Sequence, residues 1–467
     1  MLALSCTGAR TRAEPEASLS VSAPPSLVLW VDAQAQDGGD GSATHPLRRL
    51  EAALALPAPH RLVHLSAGLY SGPFLALEGT ELVGGSATVL TGPAGVTVLE
   101  TRGAVSLRRV LVQGGTLGLV STGALRLEEV RFSGQRAGAV SISQGGTLLA
   151  ERAVFEASVS GAVGLHLSPG GKAELTGCRF EGPWQRGVEA QTPERLAVEK
   201  SAFRGAVTAL HLRGGSATLS DVSIAEGRGP GLYVGGGTLE LHRVEVSGHE
   251  YGLLTGAGAV VEGEDFTSTG ADRAGVGLVT GMAHFRRLTI TKAGPLGGLQ
   301  TISSQVTVEG LRVQEVAGVG VSMRDGSLRL DGAVVLGTKD PDGTGGEGLQ
   351  LRGGRATLSN LAIREASGAC LLAAEAADVV LSHATLERCH TAGLVSETGA
   401  HLVTSDVSVL SSDGPGAVAT SDGELVLRRF RALATDGVVW AECAVGAHVM
   451  AFEVAGVLPT LPCIETP

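Results

Sequence analysis

The chain has 467 residues, a formal net charge of -11 and a pI near 5.6. Glycine contributes 69 residues while aromatic residues make up only 3%, a turn-rich composition that favours β-structure over helix. The negative charge argues against binding to nucleic acid or to an anionic membrane surface, since both require a basic face, and no apolar run approaches the roughly 20 residues that span a bilayer.

The N-terminal segment contains a cysteine that is a candidate for lipidation. The stretch MLALSC puts Cys6 after a short apolar run, as at the end of a bacterial lipoprotein signal, although the basic and longer apolar parts are absent and Ala3 stands where leucine is usual. The residues that follow are rich in Ala, Ser, Pro and Glu, as in a flexible tether. We therefore expect residues 1–25 to be a signal remnant and tether, with Cys6 lipidated and the protein exported to the periplasm, outer membrane or cell surface. The alternative is a disordered cytoplasmic tail.

Residues 26–94 predict an N-terminal cap and the first coils of a repetitive fold. A strand, an Asp/Gly/Ser turn and a short helix follow one another, with Pro46 suited to the first helical turn. Leu47, Leu50 and Leu54 would share one apolar face of that helix. We expect the helix to cover the open end of the repeats, because an unprotected strand edge promotes aggregation.

From residue 95 onward the chain repeats itself about every 22 residues, for roughly sixteen turns. Each repeat contains two strands of alternating apolar residues that flank a two-residue corner, and a third strand of the type Gly-apolar-x-apolar precedes them. No single repeat can bury its apolar residues, but stacked repeats can. We therefore predict an all-β solenoid over residues 95–456 and a C-terminal tail over residues 457–467.

These three-stranded coils with a two-residue corner resemble the right-handed parallel β-helix family, the pectate-lyase-like superfold. The strict hexapeptides of left-handed β-helices are absent. The resemblance implies a single-stranded right-handed parallel β-helix with an N-terminal capping helix. It does not define a function, since this superfold includes lyases, hydrolases, epimerases, adhesins and inert scaffolds.

The two-residue corners carry mixed charges, as in Arg108-Arg109 and Ser220-Asp221. Many pectinolytic members of the family stack asparagines at this corner, but Asn360 is the only asparagine of this chain. We expect the corner to form a solvated ridge without a specific function.

One outward row of the third strand gathers groups that can transfer protons. If the apolar neighbours point inward, His166, Glu189, His211 and Tyr233 stack on consecutive coils over roughly 15 Å. Sugar-processing members of the family commonly place their sites on this strand. Three interpretations stay open: a solvated polar ladder, acid/base chemistry on a uronate or a glycosidic bond, or a Zn²⁺ site built from the histidines and the glutamate.

Two further features suggest a metal site and a cross-link. The insertion at residues 338–348 contains Asp340, Asp342 and Glu347, which could bind Ca²⁺ or could simply form an acidic turn. Cys443 and Cys463 lie about one coil apart, where a disulfide would hold the tail in an oxidising compartment.

The functional hypothesis that follows is a non-enzymatic, lipid-anchored surface or periplasmic scaffold that binds a protein or polysaccharide at the cell envelope. The signature sets of pectin hydrolases are absent, and only three Trp and three Tyr are available to stack on sugars. The alternative is a polysaccharide lyase, epimerase or glycoside hydrolase acting on an acidic polysaccharide. We expect a monomer with no nucleic-acid partner, with membrane contact only through the lipid, and without a cofactor unless the 338–348 insertion holds Ca²⁺.

Overall fold

The structure is a computed structural model and describes residues 26–340 and 345–466. Within these ranges the chain forms strands almost throughout, with one α-helix, α1 (Leu50–Ala55), and one short 3-10 helix, Cys443–Val445. In this part of the chain no helix is both long enough and apolar enough to cross a membrane.

The strands up to residue 212 are short: β1 (Leu27–Val31), β2 (Arg61–Leu65), β3 (Gly68–Ser71), β4 (Phe74–Ala76), β5 (Thr80–Val83), β6 (Thr88–Gly92), β7 (Thr97–Thr101), β8 (Val105–Arg108), β9 (Leu111–Gly114), β10 (Leu117–Ser121), β11 (Ala124–Glu128), β12 (Arg131–Ser133), β13 (Gly138–Ile142), β14 (Thr147–Glu151), β15 (Val154–Glu156), β16 (Val163–Leu167), β17 (Lys172–Thr176), β18 (Arg179–Glu181), β19 (Arg186–Ala190), β20 (Arg195–Glu199), β21 (Ala202–Arg204) and β22 (Thr208–Leu212). Later strands often continue through a corner: β23 (Ser216–Ala225), β24 (Pro230–Val234), β25 (Gly237–Ser247), β26 (Tyr251–Thr255), β27 (Ala259–Thr269), β28 (Ala274–Val279), β29 (Met282–Thr291), β30 (Leu299–Ala317), β31 (Val321–Lys339), β32 (Leu349–Arg352), β33 (Arg355–Ala366), β34 (Leu371–Ala374), β35 (Asp378–Cys389), β36 (Leu394–Ser396), β37 (His401–Leu410), β38 (Ala417–Ala419), β39 (Glu424–Leu433), β40 (Val439–Ala441), β41 (His448–Phe452) and β42 (Ile464–Glu465).

The strands stack coil upon coil into three parallel sheets, which we call A, B and C in the order in which each coil visits them. Sheet A consists of β4, β7, β10, β13, β16, β19, β22, β24, β26, β28, the first parts of β30 and β31, β32, β34, β36, β38 and β40. Sheet B consists of β1, β2, β5, β8, β11, β14, β17, β20, the middle parts of β30 and β31, the first halves of the other long strands, β41 and β42. Sheet C consists of β3, β6, β9, β12, β15, β18, β21, the last parts of β30 and β31, and the second halves of the other long strands. This architecture, a parallel β-solenoid of about 17 turns, confirms the predicted all-β repeat fold.

The core is a column of inward side chains at one-coil spacing. In sheet A, Leu165, Val188 and Leu210 lie in register on consecutive coils and are almost completely buried. In sheet C, stacked rings fill the same interior with centroid separations of 4.3–5.3 Å: Phe132, Phe155, Phe180 and Phe203. Backbone hydrogen bonds between successive coils fix the register of the strands. Within each strand, side chains alternate between the two faces, so the positions of the apolar residues determine which side chains lie on the outer face.

The corner between sheets B and C turns on a residue in the left-handed region. Arg109 has a φ of 54° and Asp221 has a φ of 56°, and the same geometry recurs at other corners. Ion pairs bridge adjacent coils along this ridge, as between Arg243 and Asp221 at 2.6 Å and between Arg429 and Asp406 at 2.6 Å. The corner is therefore the mixed-charge ridge that the sequence predicts.

Helix α1 packs against β1 and β4, which are the first strands of sheets B and A. Leu50 and Leu54 are buried as predicted. Leu47 is not helical: its backbone N–H donates to Trp30 and its carbonyl accepts from Asp32. This strand-like pairing with β1 delays the helix until residue 50.

At the C-terminal end, Leu458, Leu461 and Ile464 of the tail pack against the last coils. The structure places Cys443 and Cys463 in a disulfide, with their Cα atoms 5.4 Å apart. A second disulfide, which sequence analysis did not propose, joins Cys370 and Cys389 with a Cα separation of 5.3 Å.

Candidate functional site

The outward row of sheet A has the register that the repeat length predicts. His166 lies opposite Glu189, Glu189 opposite His211, and His211 opposite Tyr233 on consecutive strands. Leu254 follows on the next coil. The structure thus brings the four candidate catalytic residues together on one face, although their catalytic role stays a prediction.

Glu189 is the centre of this group. Its Oε1 atom accepts a hydrogen bond from Nη1 of Arg186 at 2.6 Å and another from Nη2 of Arg213 at 2.8 Å. His166 lies on the other side of the carboxylate, with Nδ1 3.7 Å from Oε2. Although it projects from the outer face of the sheet, the Glu189 side chain is only 8% exposed. We call Glu189, Arg186, Arg213, His166 and His211 the Glu189 cluster.

The charges of the cluster set its protonation. Burial alone would raise the pKa of Glu189, but the hydrogen bond from Arg186 and the charges of Arg186 and Arg213 outweigh burial and hold that pKa below its usual value. Burial and the same two arginines lower the pKa of His211. At neutral pH the cluster therefore combines an ionised carboxylate with a neutral imidazole.

The surface that this cluster presents to solvent consists mainly of donors. Arg213 is half exposed and Arg186 is 29% exposed. Each guanidinium has five N–H groups, so donors remain after Glu189 is bound. The ring of Tyr233 packs edge-on against His211 with a centroid separation of 4.9 Å. Such a surface can bind an anionic group through charge-assisted hydrogen bonds.

More arginines lie in the turns that lead into sheet A. Arg136 precedes β13, Arg228 precedes β24 and Arg273 precedes β28. Arg273 pairs with Glu250 at 2.9 Å, whereas Arg136 and Arg228 are exposed and form no ion pair with any residue that the structure describes. These side chains extend the basic character of this face along the solenoid.

Metal binding at this site would compete with the arginines. Across residues 26–340 and 345–466, no group of three or more His, Cys, Asp or Glu side chains is arranged to hold a metal ion. A Zn²⁺ ion between His166 and His211 would need the carboxylate of Glu189, which Arg186 and Arg213 already engage. The zinc interpretation therefore gains no support from the geometry.

The other predicted site residues are only partly described. A Cβ atom at Gly345 would lie 3.2 Å from Oδ2 of Asp340 and 3.6 Å from Oε2 of Glu347, so these two carboxylates converge on one turn. Asp342 and Cys6 lie outside the described residues. The calcium and lipidation hypotheses stay predictions.

Comparisons with known proteins give no family assignment. No protein-family model and no curated protein sequence matches the chain. Among solved structures, the catalytic unit of a GH87 α-1,3-glucanase from Streptomyces thermodiastaticus is similar at 13% identity over 92% of this chain and 72% of that one, with a TM-score of 0.32.

Two other solved structures are similar to the chain. They are a GH136 lacto-N-biosidase from Eubacterium ramulus, at 8% identity over 89% of this chain and 67% of that one with a TM-score of 0.26, and a PL6 family alginate lyase, at 8% identity over 86% and 98% with a TM-score of 0.21. Likenesses this weak assign no function to the chain.

Sequence analysis missed Arg186 and Arg213, the two residues that define the electrostatics of the site. Arg213 follows His211 by two residues, so the alternation of the strand already puts it on the outer face. Arg186 begins β19, three residues before Glu189, where alternation gives no such indication.

Proposed function

We propose that this protein is an exported parallel β-solenoid that binds an anionic, carboxylate-bearing polysaccharide on the outer face of sheet A without cleaving it. The observation that carries this proposal is the engagement of Glu189 by two arginines. A carboxylate held ionised between two guanidinium groups fixes their positions, and it is poorly suited to donate or accept protons during a reaction.

The chemistry of the row argues against glycoside hydrolysis in particular. Most glycosidases need two carboxyl groups flanking the scissile bond, one of them protonated at the start. The row from His166 to Tyr233 contains a single carboxyl group, and its pKa is lowered rather than raised. A ligand bound here therefore contacts hydrogen-bond donors and not the pair of carboxyl groups that a glycosidase needs.

Titration calorimetry can test this binding, with polygalacturonate as the anionic probe and dextran as the neutral control. We expect polygalacturonate alone to bind, and Arg213→Ala to weaken binding at least ten-fold. Arg204→Ala is a matched control, because Arg204 forms a similar pair with Glu226 but on sheet C. Equal affinity of the wild type and Arg213→Ala, or binding of dextran, would refute the proposal.

A second candidate function is an eliminating lyase, favoured by the neutral His211 beside Tyr233. His211 would remove the proton next to the uronate carboxylate, Arg213 would hold that carboxylate, and Tyr233 would protonate the departing glycosidic oxygen as the double bond forms. The test is the release of unsaturated products from pectate, polygalacturonate or alginate, with and without Ca²⁺ or Zn²⁺. We expect none; product formation that disappears in His211→Ala and Tyr233→Phe would establish the lyase instead.

Export and anchoring complete the proposal. Disulfides persist in oxidising compartments, and the structure pairs Cys370 with Cys389 and Cys443 with Cys463. Together with Cys6, these pairs support a lipid-anchored protein of the periplasm, outer membrane or cell surface. We further propose that it acts as a monomer on a polysaccharide or protein of the envelope. Labelling with a radioactive fatty acid tests the lipid anchor, and a wild-type chain that stays unlabelled would refute lipid anchoring.

A further inference from the structure

The last four strands of sheet A present a different outer surface from the Glu189 cluster. Leu372, Val395, Val418 and Trp440 lie in register on β34, β36, β38 and β40. We call these four residues the C-terminal apolar row; it extends over about 14 Å. Trp440 is 46% exposed although it belongs to a regular strand.

The residues just before this row in sheet A are different in character. On β28, β30, β31 and β32 the same register holds Gly277, Gln300, Ser322 and Gln350. Earlier in the same register apolar residues stand singly, at Leu75, Val120 and Leu254, so consecutive apolar residues lie at the C-terminal end of the sheet.

Leu372 is buried and Val395 and Val418 are half-buried, so Trp440 is the exposed member of the row. Single exposed apolar residues are ordinary, but an exposed tryptophan in register with two partly accessible valines on a sheet face is typical of a contact surface.

The turns on both sides of the C-terminal apolar row carry only negative formal charge. Residues 366–377, 389–400, 411–423 and 434–447 contain six carboxylates and no lysine or arginine: Glu375, Glu397, Asp413, Asp422, Asp436 and Glu442.

Two of these carboxylates have side-chain partners: Glu375 pairs with Arg352, and Asp413 lies 2.7 Å from Nδ1 of His390. Glu397, Asp422, Asp436 and Glu442 form no ion pair with any other residue in the described part of the chain. The row is thus flanked by uncompensated negative charge.

This combination of negative charge and apolar surface restricts which molecules can bind to the C-terminal apolar row. An anionic membrane surface and an acidic polysaccharide would both be repelled by the carboxylates. A protein surface with apolar side chains between lysines or arginines would satisfy the row and its flanks together. An exposed tryptophan on such a surface is a typical anchor of protein–protein contacts.

We propose that the C-terminal apolar row is a docking surface for a basic segment of a partner protein. Apolar side chains of the segment pack on Val395, Val418 and Trp440, while its cationic side chains pair with Glu397, Asp422 and Glu442 along one edge of the sheet. This site lies on the same face as the Glu189 cluster but several coils away, and it does not depend on polysaccharide binding. One face of the solenoid thereby joins an anionic ligand to a basic partner.

The experiment uses a labelled synthetic peptide of alternating valine and lysine, with a Ser/Lys peptide and a Val/Glu peptide as controls, and fluorescence anisotropy with the full chain. We expect the Val/Lys peptide to bind at least ten-fold more tightly than either control. The triple variant Glu397→Gln, Asp422→Asn, Glu442→Gln should lose at least ten-fold in affinity, and Trp440→Ser should do the same.

A matched control changes three exposed carboxylates elsewhere, Glu240→Gln, Glu245→Gln and Glu262→Gln, and should bind like the wild type; circular dichroism confirms that each variant is folded. Equal binding of the Ser/Lys peptide, or an unchanged affinity of the first triple variant, would overturn the proposal. Sedimentation equilibrium adds a second test. A dimer that dissociates on Trp440→Ser would show that a second copy of this chain, and not a basic partner, occupies the row.

Discussion

Arg213 reaches across one coil of the solenoid to place Nη2 2.8 Å from Oε1 of Glu189. Glu189 lies on β19 and Arg213 directly follows β22, the adjacent strand of sheet A, so the register of these two strands brings the residues together. Arg186 completes the arrangement from within the coil of Glu189. The Glu189 carboxylate therefore holds the guanidinium groups of Arg186 and Arg213 in place although their positive charges repel each other. A ligand-binding site requires hydrogen-bond donors that are held in fixed positions in this way.

Replacing Glu189 should alter both stability and its pH dependence. Because the pKa of Glu189 is lowered in the folded chain, the stability it contributes is present above its unfolded pKa and is lost as the pH falls through the folded pKa. We expect Glu189→Gln to cost about 2 kcal/mol at pH 7 and less at pH 3. Urea denaturation at both pH values measures this. Glu174→Gln, at an exposed carboxylate, should have little effect at either pH; a constant loss for Glu189→Gln would contradict the ionic explanation.

His249 should make the protein sensitive to mild acid. Its ring is almost completely buried, Nδ1 is hydrogen-bonded to the carbonyl of Gly229 at 3.1 Å, and Nε2 has no hydrogen-bond partner among the residues that the structure describes. Burial lowers the pKa of His249, while the hydrogen bond with Gly229 and the charge of Asp272 oppose that shift. Stability is therefore expected to decrease as the pH falls below the unfolded pKa of about 6.5. Melting temperatures between pH 7.5 and 5 should fall less in His249→Gln than in the wild type. The exposed His60→Gln should melt like the wild type, and identical slopes for all three would refute the prediction.

At the left-handed corner, glycine should stabilise the protein more than a β-branched residue does, which is the opposite of the order expected within a strand. At Arg109, with a φ of 54°, a β-branched residue is strained, so Arg109→Gly should be more stable than Arg109→Val by about 1–2 kcal/mol. At Ser106, on the outer face of the neighbouring strand, valine should be the more stable of the same pair. Urea midpoints of the four variants decide the matter, and the same order at both positions would argue against the corner geometry.

The disulfide of Cys443 and Cys463 should protect the last coil. Closing a loop of 20 residues is worth about 3 kcal/mol in the chain-entropy model, so Cys443→Ser should lower the unfolding free energy by about that amount. Mass mapping of the protein isolated from its natural compartment should find Cys443 linked to Cys463. Free thiols at both positions would count against the pairing and against export.

Much of this architecture could be predicted from the repeat alone. The alternation of apolar residues and the constant coil length fix the sheet and the register, and therefore the row from His166 to Tyr233. What the repeat does not encode is how long side chains reach between coils, so the roles of Arg186 and Arg213 emerged only with the side-chain geometry. Leu47 was assigned to the helix because apolar spacing does not reveal that its backbone groups pair with β1. The disulfide of Cys370 and Cys389 has almost the same spacing as the predicted one and could have been proposed on the same grounds.

A crystal structure of the protein with a bound galacturonate oligomer tests polysaccharide binding on sheet A most directly. We expect a uronate carboxylate within hydrogen-bonding distance of the outward N–H groups of Arg186 and Arg213, with Glu189 still paired to both and the oligomer intact. An oligomer bound to sheet B or sheet C, a cleaved oligomer, or a ligand that displaces Glu189 from its arginines would contradict this expectation.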